Sequence, residues 1–183
     1  NMKLEITMTP INLQVDLVDE LKHLFKPFAY KAPLDIEDFE DETEDSEKEA
    51  TGQPRYKRVP LNVYAQALPV QESDEDADPV PYLIVRLSSG NDPGGESSFN
   101  TVKLVIIIGI WDDDLSNQGH RDVLNIIQKI YERFSKNPCL NHRSVYTGEW
   151  NWALQEDGYF PYHFGACSMS FNIAAIRRED PLA

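Results

Sequence analysis

Two hydrophobic periods meet in one stretch of the chain, residues 101–138. From Val102 to Trp111 almost every position is apolar and most are Val or Ile. Such a run reads as a central strand buried on both faces. Beyond it Val123, Ile127, Ile130 and Phe134 recur at helical spacing, and Leu124, Ile126 and Tyr131 widen the stripe. Asp112, Asp113, Asp114, Ser116, Asn117 and Gly119 separate the halves as a polar turn. The pattern predicts a strand over 102–111 feeding an amphipathic helix over 118–135.

The remaining elements follow in order. Residues 3–8 alternate and read as a short strand or an extended arm. Thr9-Pro10 is a helix start, because threonine caps and proline at the first helical position loses no hydrogen bond. Ile11, Val15, Val18, Leu21 and Phe25 then predict a helix over 10–26, stopped by Pro27. The span 56–70 alternates, and Pro60 sets a strand over 61–68. A second strand covers 82–87, and the glycines and prolines of 88–100 form a long turn. Tyr146, Gly148, Trp150, Trp152 and Leu154 share one face of a strand over 145–154. Cys167, Met169, Phe171 and Ile173 share one face of another over 164–176. The connector 156–161 makes these two a hairpin.

The sum is a single α+β domain over 1–183. It has a mainly antiparallel sheet of about five strands with two amphipathic helices on it. Ile106, Ile108, Ile127, Ile130, Phe134, Phe171 and Ile173 are its expected core.

Charge changes little in this picture once it is located. The net charge is −14. Segments 35–53 and 71–81 carry fifteen acids and one lysine between them, which accounts for all of it. The rest of the chain is neutral. Acidic loops repel phosphate, so they exclude non-specific nucleic-acid binding through themselves. The span 35–53 reads as a solvated loop, with an acidic arm reaching a neighbour as the functional alternative. Two cysteines are too few for a disulfide framework. The start of the chain lacks the pattern of a secretory leader, and no apolar run approaches the roughly 20 residues of a membrane-spanning helix. The expectation is cytosolic synthesis and no membrane partner.

No catalytic, cofactor or metal constellation stands out. Cys139, His142, His163 and Cys167 have zinc-like spacing, but on one strand His163 and Cys167 lie roughly 13 Å apart at ~3.3 Å per residue. Asp112, Asp113 and Asp114 suit Mg²⁺ or Ca²⁺, yet equally a turn whose acids favour a helix N-terminus. His120-Arg121-Asp122 opens the helix without the positioned partner that a general base needs. Trp150 and Trp152, with Tyr146, offer a ligand platform, a core face or a subunit interface.

Gly119-His120-Arg121-Asp122, Trp150-Asn151-Trp152 and Pro161-Tyr162-His163-Phe164-Gly165 carry a resemblance. With the apolar strand and acidic turn before them, they make residues 101–181 resemble small tail-region proteins of tailed bacteriophages and prophages, among which tail terminator (tail completion) proteins are found. The resemblance does not extend to 35–53. It implies a compact α+β subunit with no catalysis and no cofactor. The subunit would form a ring, typically a hexamer, at the head-proximal end of the tail. Its partners would be further copies of itself, the tail tube protein and the head–tail connector, with no direct sequence-specific nucleic acid. The location would be the virion neck, assembled in the bacterial host cytoplasm. The alternatives are a head-completion or adaptor protein of the same neck, or a small ligand-binding domain or metal-dependent enzyme using the aromatic face and the Asp triplet.

Overall fold

The computed structural model describes residues 8–34, 56–71, 79–94 and 99–176. The expected arm over 3–8 (Met8 apart), the acidic span 35–53, most of 71–81 and the tail beyond 176 lie outside them.

The chain begins with α1, Pro10–Phe25. Thr9 caps it as expected: its Oγ1 accepts from the Asn12 N–H at 3.2 Å, and Asn12 Oδ1 accepts from the Thr9 N–H at 3.1 Å. This reciprocal pair satisfies two donors at the helix start. Of the expected stripe Val18, Leu21 and Phe25 are buried, and only its first two members are not. Leu13, Leu17, Leu21 and Phe25 face the core, whereas Ile11 and Val15 are 66% and 50% exposed.

Two short strands follow, β1 (Ala29–Pro33) and β2 (Tyr56–Pro60), paired antiparallel as a ribbon. The main sheet contains β3 (Asn62–Ala65), β4 (Tyr82–Asn91), β5 (Phe99–Trp111), β6 (Cys139–Leu140), β7 (Ser144–Leu154) and β8 (Tyr162–Ala174). Its order is β3-β4-β5-β8-β7-β6, with β3–β4 parallel and every other pair antiparallel. The second helix, α2 (His120–Lys136), precedes β6.

The α+β class, the two helices and the mostly antiparallel sheet agree with the sequence reading. The strand count does not: among the described residues there are six strands in the sheet and two in the ribbon, against about five expected. The span 61–68 contracts to four residues, because the alternating stretch from Tyr56 is split at Leu61 between ribbon and sheet. β4 also runs to Asn91, into what reads as a turn, and β5 starts at Phe99.

β5 is central, but not buried on both faces throughout. Val102, Leu104, Ile106, Ile108 and Ile110 are buried beneath the helices. Lys103, Val105 and Ile107, on the opposite face, are only half-buried. No described helix covers that face. The helix side forms the main core, in which Leu83, Val85, Leu104, Ile106, Cys167, Met169 and Phe171 meet α1 and α2. All seven expected core residues belong to it. Each such side chain contributes about 1.5–3 kcal/mol by leaving water. A second cluster on the far face gathers Val80, Tyr82, Ile84 and Trp111, with Tyr56 from the ribbon packed against it.

Two ion pairs lock the periphery. Lys31 of β1 donates to Asp112 Oδ1 at 2.6 Å, tying the ribbon to the end of β5. Arg143 and Asn141, in the β6–β7 turn, both donate to Asp16 Oδ1 of α1. Asp16 is buried, so the turn is drawn onto the helix by a charge that has left water.

Candidate interaction surface

The seam between α2 and the β7–β8 hairpin is set by small residues. A Cβ at Gly165 would lie 2.6 Å from Val123 Cγ1, and one at Gly119 would lie 2.2 Å from the His163 ring. Only glycine lets the start of α2 come down on β8 this closely. Two of the three sequence motifs singled out above therefore meet at one place, where they land the helix.

At its far end the seam is closed by aromatics. The Phe134 ring stands edge-on to Phe171 at 5.3 Å between centroids, and Tyr146 lies 6.0 Å from Phe171. All three are buried. Between these two closed ends the seam is open. Tyr131 and Trp150 sit 5.4 Å apart at a 49° tilt, and Trp152 stands beside them, 55% exposed. With Leu124 and Gln128 they line a groove of about 550 Å³.

The strand beside the groove is irregular, and most of its outer side has no described partner strand. Between Tyr146 and Trp150 β7 carries a bulge, and Gly148 within it has φ = 91°. Glu149 pins the bulge to the far face of the sheet by accepting from Lys103 Nζ at 3.0 Å and Ser170 Oγ at 2.8 Å. Those bonds hold its carboxyl below the usual value. On the outer side, β6 pairs only with Ser144 and Val145. From Tyr146 to Leu154 no described strand covers the edge, and the last five residues, Trp150-Asn151-Trp152-Ala153-Leu154, carry no charge. An uncharged free edge flanked by a groove of aromatic and amide side chains is an arrangement in which an added chain gains backbone hydrogen bonds and side-chain burial together.

The other candidates do not assemble. Cys167 is buried on β8 against Ile106, and burial pushes its thiol up to about 12. Cys139 lies across the sheet on β6, and His142 sits in the exposed turn after it, so the zinc-like spacing converges on no point. Asp112 is engaged by Lys31, and Asp114 Oδ1 accepts from the Ser116 N–H at 2.8 Å, which lowers the Asp114 pKa. Among the described residues no group of three His, Cys, Asp or Glu side chains is placed to hold a metal ion. None of the three aspartates lines the aromatic groove.

His120 and His163 share a separate cavity of about 360 Å³ with Glu156, Asp157 and Tyr159. His163 Nε2 is buried there and makes no hydrogen bond among the described residues. Asp122 lies in the first turn of α2; its carboxyl pKa is raised by burial and by the nearby Asp112 charge.

Sequence reasoning found the Trp150–Trp152 face but not the open edge, because the two-residue β6 leaves no periodic signal. It also missed the Lys31 and Asp16 anchors, whose partners are 81 and 127 residues away. Comparison with protein-family models and with curated proteins finds no match for this chain.

Proposed function

We propose that this chain is a structural protein of a tailed-phage neck, a tail terminator that assembles as a ring on the head-proximal end of the tail and joins it to the head connector. The observation that carries the reading is the uncharged free edge of β7 beside the Trp150–Trp152–Tyr131 groove, a surface suited to assembly. The sequence resemblance supports it independently. Its Gly119 and Gly165 motifs serve the landing of α2, and its Trp-x-Trp motif lines the groove. The reading assigns no chemistry to Asp112–Asp114 or to the two cysteines.

The test is removal of the chain from the phage or prophage that encodes it. The terminator role gives headless tails of uncontrolled length, and adding back purified protein gives capped tails that accept heads. Tails of normal length carrying heads would contradict it. Binding of the purified protein to isolated heads and not to isolated tails would replace it with a head-completion role.

A further inference from the structure

We propose that the free edge of β7 is filled by β3 of a second copy of this chain, so that the sheet continues from one subunit to the next. The pairing sets Leu154 opposite Val63 of the neighbouring copy, and Trp152 opposite its Ala65. This rests on the ring reading above and specifies its contact.

Four properties of the two edges agree. The first is direction. β3 and the Trp150–Leu154 part of β7 bound the sheet on its two sides, and no described strand lies beyond either. β3 runs parallel to β4, and three antiparallel pairs separate β4 from β7. β3 and β7 therefore run in opposite directions. A neighbour related by rotation about an axis parallel to the strands keeps those directions, so its β3 meets β7 as an antiparallel strand.

The second is level. Val63, Leu83, Ile108, Gly165 and Leu154 form one row across the sheet. Ala65, Val85, Ile106, Cys167 and Trp152 form the row two residues away. Both rows begin on β3 and end on the free part of β7. Under the same rotation each row meets its own continuation, with no shift along the strands. Heterologous contacts without a rise close into rings, and those with a rise build filaments.

The third is hydrogen-bond phase. On β7 the Gln155 N–H bonds the Phe164 carbonyl at 3.1 Å, so by alternation Trp152 and Leu154 turn their N–H and C=O groups away from β8. On β3 the Asn62 and Gln66 N–H groups bond the Pro81 and Val85 carbonyls of the β4 side at 3.1 and 2.9 Å. Val63 and Ala65, between them, turn theirs outward. The outward residues of one edge thus stand level with the outward residues of the other, which gives four backbone bonds across the boundary. The Ala65 carbonyl already takes the Ala67 N–H at 2.8 Å and has a second lone pair for Trp152.

The fourth is side chains and charge. Val63 and Leu154 both pack on the helix-side core, and Trp152 lies on the same side in the groove. Ala65 is the smallest residue of β3, so the half-exposed indole of Trp152 gains a flat neighbour without a clash. Residues 62–65 and 150–155 carry no charge, so no ion loses water on contact.

The test is cysteine cross-linking of the purified full chain in a Cys139→Ser background. The pairing sets Asn62 opposite Gln155, both exposed, at a position without hydrogen bonds between them. Such pairs hold their Cα atoms about 4.5 Å apart, within reach of a disulfide. Within one chain the two lie four strand spacings apart, roughly 19 Å, too far to join. Asn62→Cys and Gln155→Cys chains are oxidised alone, then mixed and oxidised, with Asn151→Cys as the control for register. The inference predicts a disulfide only between Asn62→Cys and Gln155→Cys. A single chain carrying both substitutions should ladder up to one closed species. Two-fold pairing would instead link one variant to itself, and a different register would favour Asn151→Cys; either product overturns the inference. So does the absence of both mixed product and ladder when wild-type mass exceeds that of a monomer, and so does a wild-type chain that stays monomeric at every concentration. Because the readout uses purified protein alone, it is separable from the tail assay. Cross-linked rings with normal tails in the deletion would remove the terminator role and keep the contact. Terminated tails without the cross-link would do the reverse.

Discussion

The closed and open parts of the α2–β7 seam are built from the same materials with opposite results. At the closed end Phe134, Tyr146 and Phe171 interlock and exclude water. One turn of α2 earlier, Tyr131, Trp150 and Trp152 are in reach of one another and leave a groove. Both sets are aromatic, and both alternate correctly for the helix-facing side. What differs is the edge strand. The bulge at Tyr146–Trp150, pinned by Glu149, interrupts the pairing of β7 with β8 just where the groove begins. Large apolar groups left in water beside an unpaired edge cost the isolated subunit solubility without adding to its stability, and a partner recovers that loss.

The largest effect should separate the two parts directly. Phe171→Ala should cost about 3–5 kcal/mol in urea unfolding, as for other buried aromatics. Trp152→Ala should stay within about 0.5 kcal/mol of wild type in the monomer. Equal losses would mean that the groove belongs to the core. Next is Arg143→Ala, which strips the guanidinium from the buried Asp16 and should cost about 2–3 kcal/mol. A loss under half a kcal/mol would show that the β6–β7 turn does not depend on α1.

Away from the seam, Lys31→Met should cost about 1–2 kcal/mol at neutral pH by freeing the ribbon from Asp112. The Asp112 hydrogen bond raises the Lys31 pKa above 10.5. The stabilisation is therefore complete below 10.5 and is lost as pH rises through the higher folded value. The difference between variant and wild type should close as pH rises into that alkaline range. A difference that persists there undiminished would assign it to something other than the Lys31 charge. The smallest effect concerns Cys167, which pairs with Trp152 beneath the groove. A thiol reagent at pH 8 should modify Cys139 in the native chain and reach Cys167 only on unfolding. Rapid modification of both would mean that the open part of the seam breathes into the core.

The sequence carried the central elements well because their signals are local. Thr9-Pro10 marks a helix start, the Val- and Ile-rich run marks β5, and the spacing from Val123 to Phe134 marks α2. It misjudged what depends on neighbours. Ile11 and Val15 fit a helical stripe as well as Leu13 and Leu17 do, and only the packed sheet decides which row turns inward. β5 reads as buried on both faces from composition, yet its second face is covered mainly at the Trp111 end. β1 and β6 are too short for periodicity to register. The groove was half legible: two tryptophans on one face were visible, but the missing neighbour strand that exposes them was not.

The most direct test of the account is the mass of the purified wild-type chain by light scattering, with negative-stain imaging of the same fraction, beside Trp152→Glu. If the groove and the free edge exist for assembly, the wild-type chain forms closed rings. The variant then remains a folded monomer with an unchanged unfolding midpoint. A wild-type monomer at every concentration, or rings that survive Trp152→Glu, would contradict it.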